Sequence, residues 1–191
     1  MECNRCTVCF IVCVMIVGLY ITILAFAIKE GSRKIPVPKI ELASMDFTVQ
    51  NITQTRLSAK WDLSIRIPDN LPGQYICLQG ELQASFLYKN VTLATSSPQK
   101  YYNLKRNNPQ LLKVSAVVSG EDVGGLLGKD IMEDIKEKKE VQFGSRFSLT
   151  DCREKTTGFM SYACDEVTLR FKPGLEMKAT VFGNHPKCIN F

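Results

Sequence analysis

Residues 57–67 read Leu-Ser-Ala-Lys-Trp-Asp-Leu-Ser-Ile-Arg-Ile. Leu57, Ala59, Trp61, Leu63, Ile65 and Ile67 alternate without a break with Ser58, Lys60, Asp62, Ser64 and Arg66. Side chains of an extended chain point to opposite faces in turn, so a period of two predicts a strand with one buried face and one wet face. Leu78, Gly80, Leu82, Ala84, Phe86 and Tyr88 repeat the pattern. Lys89-Asn90 then predicts a turn into Val91-Thr92-Leu93, and Leu112, Val114, Ala116 and Val118 follow the same rule. Further strands are expected near Phe47–Val49, Tyr101–Leu104, Val141–Leu149, Val167–Phe171 and Met177–Phe182. Turn residues separate these runs at Pro68-Asp69-Asn70, Pro72-Gly73, Ser97-Pro98, Asn107-Asn108-Pro109 and Pro173-Gly174. Many strands with turn signals between them indicate a mainly β fold, a sandwich or barrel, over residues 40–191. One segment departs from this. Between Glu121 and Lys138, Val123, Leu126, Leu127, Ile131 and Ile135 recur at helical spacing, which predicts one short amphipathic helix crossing between two strands.

The chain has 191 residues, 45% hydrophobic and 23% charged, which excludes global disorder and fits one domain with an appendage. A net charge of +5, with no dense Lys/Arg stripe, gives no case for nucleic acid.

The appendage is N-terminal. From Thr7 to Ile28 there are 22 residues without a charge. As a helix they reach about 33 Å, enough for a bilayer core of about 30 Å. A cleaved signal peptide is the rival, with Ala25 and Ala27 as its small-x-small site. Against it, the apolar run exceeds the usual core and only Arg5 supplies a positive leader. The expectation is therefore a short tail 1–6, one transmembrane helix 7–28 and a basic Pro/Gly stalk 29–39. Lys29, Arg33, Lys34 and Lys39 follow the span, and counting them favours a cytosolic C-terminal domain. The sequons Asn51-Ile52-Thr53 and Asn90-Val91-Thr92, candidate N-glycosylation sites at Asn51 and Asn90, oppose that. So does the even number of cysteines beyond the stalk. Residues alone leave the orientation open.

Four of the eight cysteines, Cys3, Cys6, Cys9 and Cys13, lie in or before the span. Cys3 and Cys6 sit at the membrane border, where they are candidates for S-acylation. Cys77, Cys152, Cys164 and Cys188 lie in the body. Four cysteines allow three pairings; Cys152 and Cys164 flank a short segment beside a strand and are the candidate local disulfide.

Catalytic signatures are not found. There is no GxSxG elbow. Gly124-Gly125-Leu126-Leu127-Gly128-Lys129 fails the phosphate-loop spacing, because Val123 stands where its first glycine belongs and Asp130 where Ser or Thr is required. The single histidine, His185, precedes Pro186 and reads as a turn residue. The terminal Cys188-Ile189-Asn190-Phe191 imitates a prenylation box but has polar Asn where an aliphatic residue belongs. We expect no enzyme activity, no cofactor and no metal.

The order of these features resembles plant late embryogenesis abundant proteins of group two, in the membrane-anchored NHL (non-race-specific disease resistance/harpin-induced-like) branch. The resemblance rests on the apolar span, Phe47-Thr48-Val49-Gln50-Asn51, Leu57 to Ile65, Tyr88-Lys89-Asn90-Val91-Thr92-Leu93-Ala94, the crossing helix, and Tyr162-Ala163-Cys164-Asp165. Where the family often has an Asn-Pro-Asn turn, this chain has Pro68-Asp69-Asn70; it also lacks the Asn-Gly-Asp triplet of some members. The resemblance implies an immunoglobulin/fibronectin-like β-sandwich on a single plasma-membrane anchor, with an exoplasmic C-terminal domain. It also implies a role in plant defence or stress response. The expected function is a non-enzymatic, membrane-anchored interaction module that binds a protein partner, the cell wall or a second copy. A homomer through the span has no GxxxG motif to support it. The alternatives are a desiccation-protective membrane stabiliser, or a lipid or small-ligand carrier with a pocket lined by Trp61, Phe86 and Phe143.

Overall fold

The computed structural model describes residues 3–31, 37–68, 76–105, 108–153, 158–174, 177–183 and 186–191. The chain divides into two units, Met1–Pro36 and Val37–Phe191. The expected turns at Asp69-Asn70 and Pro72-Gly73, and the expected turn residue His185, lie outside the described residues.

The first unit is one helix, α1 (Cys3–Gly31). Its Phe10–Ile28 stretch has a mean hydropathy of 2.8, and none of it is buried against protein. It is long and apolar enough to cross a membrane. Helical geometry extends beyond the uncharged run at both ends and takes in Cys3 and Cys6. Their side chains lie outside the described residues.

The second unit is mainly β, as the alternation predicts. Its strands are β1 (Ile40–Ile52), β2 (Arg56–Ile67), β3 (Gly80–Tyr88), β4 (Val91–Thr95) and β5 (Gln99–Tyr101). Then come β6 (Gln110–Asp122), β7 (Glu140–Thr150), β8 (Phe159–Phe171), β9 (Lys178–Val181) and β10 (Lys187–Asn190). They pair in the order β4-β3-β7-β8-β10-β1-β2-β6, with β5 on β3, and β9 joined to both β1 and β8. Every named pairing is antiparallel.

The sheet folds over into a sandwich. Trp61 of β2 stacks on Phe86 of β3 with ring centroids 5.7 Å apart, although four strands separate β2 from β3 in the pairing order. One half is β6-β2-β1 and the other is β8-β7-β3; short β9 and β10 bridge them. The residues of 57–67 expected to face inward are all buried: Leu57, Ala59, Trp61, Leu63, Ile65 and Ile67. Phe47, Trp61 and Phe143 meet at 4.7 to 5.7 Å and fill the centre. Aromatic pairs in such tilted and edge-on arrangements add to the area they bury.

Two local devices set the geometry. Lys89 and Asn90 both take positive φ, 48° and 65°, the backbone of a two-residue hairpin whose twist matches its strands. The crossing helix is α2 (Gly125–Glu133), continued by a π-turn over Asp134–Lys138. It carries the chain from β6, at the edge of one half, to β7 in the other. Its buried contacts are Gly128, Ile131 and Ile135, while Leu126 is 84% exposed. Leu126 therefore departs from its expected place on the apolar face. At about 100° per residue it lies about 200° from Gly128, the residue that touches the β1–β2 turn.

Two strand limits also differ. The strand expected at Tyr101–Leu104 is Gln99–Tyr101. Leu104 is instead held by its N–H donating to the Leu78 carbonyl at 2.9 Å. The strand expected from Leu78 begins at Gly80.

Candidate functional site

The sequon residues both reach solvent. Asn51 lies near the end of β1, exposed, with Thr53 in the turn that follows. The Arg56 N–H donates to the Thr53 hydroxyl at 3.0 Å, and the Thr53 N–H donates to the Arg56 carbonyl at 2.8 Å. Asn90 occupies the tip of the β3–β4 hairpin, and Thr92 beside it is also exposed.

The body cysteines form two bridges, Cys77–Cys152 and Cys164–Cys188. The expected pair Cys152–Cys164 is thus corrected. Cys164 on β8 lies directly opposite Cys188 on β10. Cys152 follows β7, where Ile76 bridges Asp151 and the Cys77 N–H donates to the Thr150 carbonyl. Those pairings depend on strand order, so the spacing between Cys152 and Cys164 carries no information about them. In α1, Cys13 is a free thiol on an exposed helix position.

A concavity lies between the π-turn and the β7–β8 surface. It holds about 300 Å³ and is lined by Tyr88, Lys89, Asp134, Lys138, Gln142 and Glu166, among others. The Tyr88 hydroxyl donates to Asp134 Oδ2 at 2.6 Å. Lys138 Nζ donates to the other Asp134 oxygen at 2.7 Å. Burial first, then the bond to Asp134 and the neighbouring acids, push the Tyr88 phenol well above its ordinary range. The bond to Asp134 raises the Lys138 ammonium. Lys89 Nζ bonds Asp130 at 2.7 Å and lowers that carboxyl. These groups neutralise one another and dock the helix end on the hairpin, a structural use of the charge. The cluster joins residues far apart in the chain, so the alternating charges of 133–140 foretold a wet helix face and not this cleft. No group of three metal-binding side chains occurs among the described residues.

Asp62, expected on the wet face, accepts from the Ser115 hydroxyl at 2.5 Å and pairs with Lys60 at 2.9 Å. Partial burial works to raise its pKa. The Ser115 bond and Lys60 outweigh that and hold the carboxyl below its usual value. Trp61, Phe86 and Phe143, the candidate lining of a ligand pocket, are each fully buried, with Trp61 stacked on Phe86 and edge-on to Phe143.

Residues 123–190, from the approach to α2 through β10, match the model of a family described as protein of unknown function, DUF1163. No curated protein and no solved structure matches the chain.

Proposed function

We propose that the chain is a non-enzymatic, membrane-anchored interaction module. In this reading α1 spans the plasma membrane once, and the sandwich stands on its exoplasmic side, displayed to a protein partner or the cell wall. The observation that carries the reading is the cysteine pattern. All four body cysteines are joined in disulfides, which persist in oxidising compartments, while the helix before them is apolar enough to hold the chain in a bilayer. The exposed sequons at Asn51 and Asn90 agree with that side of the membrane. The charged cleft supports a non-enzymatic role, since its Tyr88, Asp134 and Lys138 already serve one another. Assignment to plant defence or stress response rests on the NHL resemblance. The filled centre around Trp61 weighs against the carrier reading, because a ligand would have to displace packed rings.

The test is the gel mobility of the full chain expressed in plant cells, before and after glycosidase. A shift that disappears in Asn51→Gln with Asn90→Gln is expected. An unshifted chain, with external protease unable to reach the sandwich, would overturn the exoplasmic assignment.

A further inference from the structure

Two strongly exposed apolar side chains lie at the end of the sandwich that Val37 enters: Ile189, 68% exposed, and Phe191, 71% exposed. Ile189 stands opposite Ala163 of β8, and the Phe191 N–H donates to the Ser161 carbonyl at 3.2 Å. Being two residues apart on an extended segment, they point to the same outer face. Phe159, two residues before Ser161 on β8, is half exposed at the same end. Val37, Pro38, Lys39, Lys187, Ile189 and Asn190 line a groove there of about 400 Å³. Lys39 and Lys187 are both exposed at its margin. The acidic neighbours are Glu41, opposite Lys187, and Asp165, beside Cys164 on β8. Single exposed apolar residues need no explanation. A pair on one face, flanked by lysines at the point where the chain enters, is a different pattern.

The tether identifies the partner. Nine Cα steps separate Ile28 from Val37, a reach of at most about 32 Å when fully extended. If α1 spans the bilayer, the headgroups are a permanently tethered surface, and a weak contact suffices to occupy it. Apolar side chains at the headgroup–acyl boundary, with lysines at the phosphates, are the chemistry of a monotopic contact. We propose that this end of the sandwich docks on the bilayer that holds α1. Ile189 and Phe191 enter the boundary, and Lys39 and Lys187 meet lipid phosphate. The inference rests on the reading of α1 as a span.

The test places the full chain in vesicles of phosphatidylcholine with a minor share of phosphatidylglycerol, with or without bromine high on the acyl chains. Phe191→Trp reports the docking end. Leu126→Trp reports the far end, beside the β1–β2 turn, where the Val123 N–H donates to the Thr55 carbonyl. The 13 residues of β1 put about 40 Å between the two ends. The native Trp61 is fully buried, so it gives a constant background, and its emission reports the fold in every variant. Bromine should cost Phe191→Trp emission and leave Leu126→Trp unchanged. Adding Lys39→Glu with Lys187→Glu should restore the Phe191→Trp signal. A chain that floats with the vesicles while Phe191→Trp ignores bromine overturns the docking and leaves the anchor standing. Equal quenching at Leu126→Trp overturns the choice of this end. Failure of the charge reversal to restore emission overturns the role of the lysines. A chain that does not float overturns the span and the docking together.

Discussion

Gly128 is where one added carbon meets the hardest obstacle. A Cβ there would lie 2.1 Å from the Gln54 carbonyl oxygen and 3.2 Å from that of Thr53. Both atoms belong to the backbone of the β1–β2 turn, so neither can rotate away. Gly128→Ala is expected to cost about 1–3 kcal/mol in urea denaturation of the detergent-solubilised full chain; an unchanged midpoint would show that the helix does not depend on this approach. Ser145 presents the opposite case. Its hydroxyl oxygen is buried without a hydrogen-bond partner, so Ser145→Ala removes an unsatisfied group. The expected result is neutral or stabilising by up to about 1 kcal/mol. Asp62 adds a pH dependence. Its pKa is lowered in the folded state, so its stabilisation is present above the unfolded value, near 3.8, and is lost as pH falls through the folded value. Its side chain is 40% exposed, and solvent screening keeps the effect below about 1 kcal/mol. Asp62→Asn should flatten the acid limb of stability below about pH 4 and leave stability above pH 6 to change by only a constant.

At the level of elements, β2 was fully legible and β10 was not. In β2 the period of two selects one inward face over eleven residues, and burial follows it without a slip. In β10 four residues are too few to show a period, and their place between β8 and β1 comes from partners distant in the chain. The crossing helix was legible in extent but only partly in facing, because its closest contact is made by a residue with no side chain. Its π-turn is secured by Tyr88 from another strand, a partner that no local pattern encodes. The same limit applied to the cysteines: their number was legible and their pairing was not, since register places Cys164 opposite Cys188. The hairpin turn at Lys89-Asn90, by contrast, was legible, because a polar pair between two alternating runs has no role but the turn. The stacked centre gives the element-scale prediction. Trp61→Ala should cost about 3–5 kcal/mol, read from the denaturation midpoint, because Phe47, Phe86 and Phe143 all lose a ring partner.

At the scale of the molecule, the two disulfides close loops of 75 and 24 residues. In the chain-entropy picture these contribute about 4 and about 3 kcal/mol. Reduction should therefore lower the unfolding midpoint markedly, with Cys77→Ala plus Cys152→Ala the more damaging double substitution; equal midpoints with and without reductant would mean that the core alone holds the sandwich. In the proposed reading the outer surface of the sandwich is the functional part. That surface matters according to where the membrane puts it. The most direct test of the account is a tag at the C-terminus of the full chain in intact protoplasts. Membranes are pelleted after alkaline carbonate, and external protease is applied to unbroken cells. The account predicts a carbonate-resistant chain whose tag is removed from outside. Release by carbonate, or a tag that survives until the cells are broken, would contradict it.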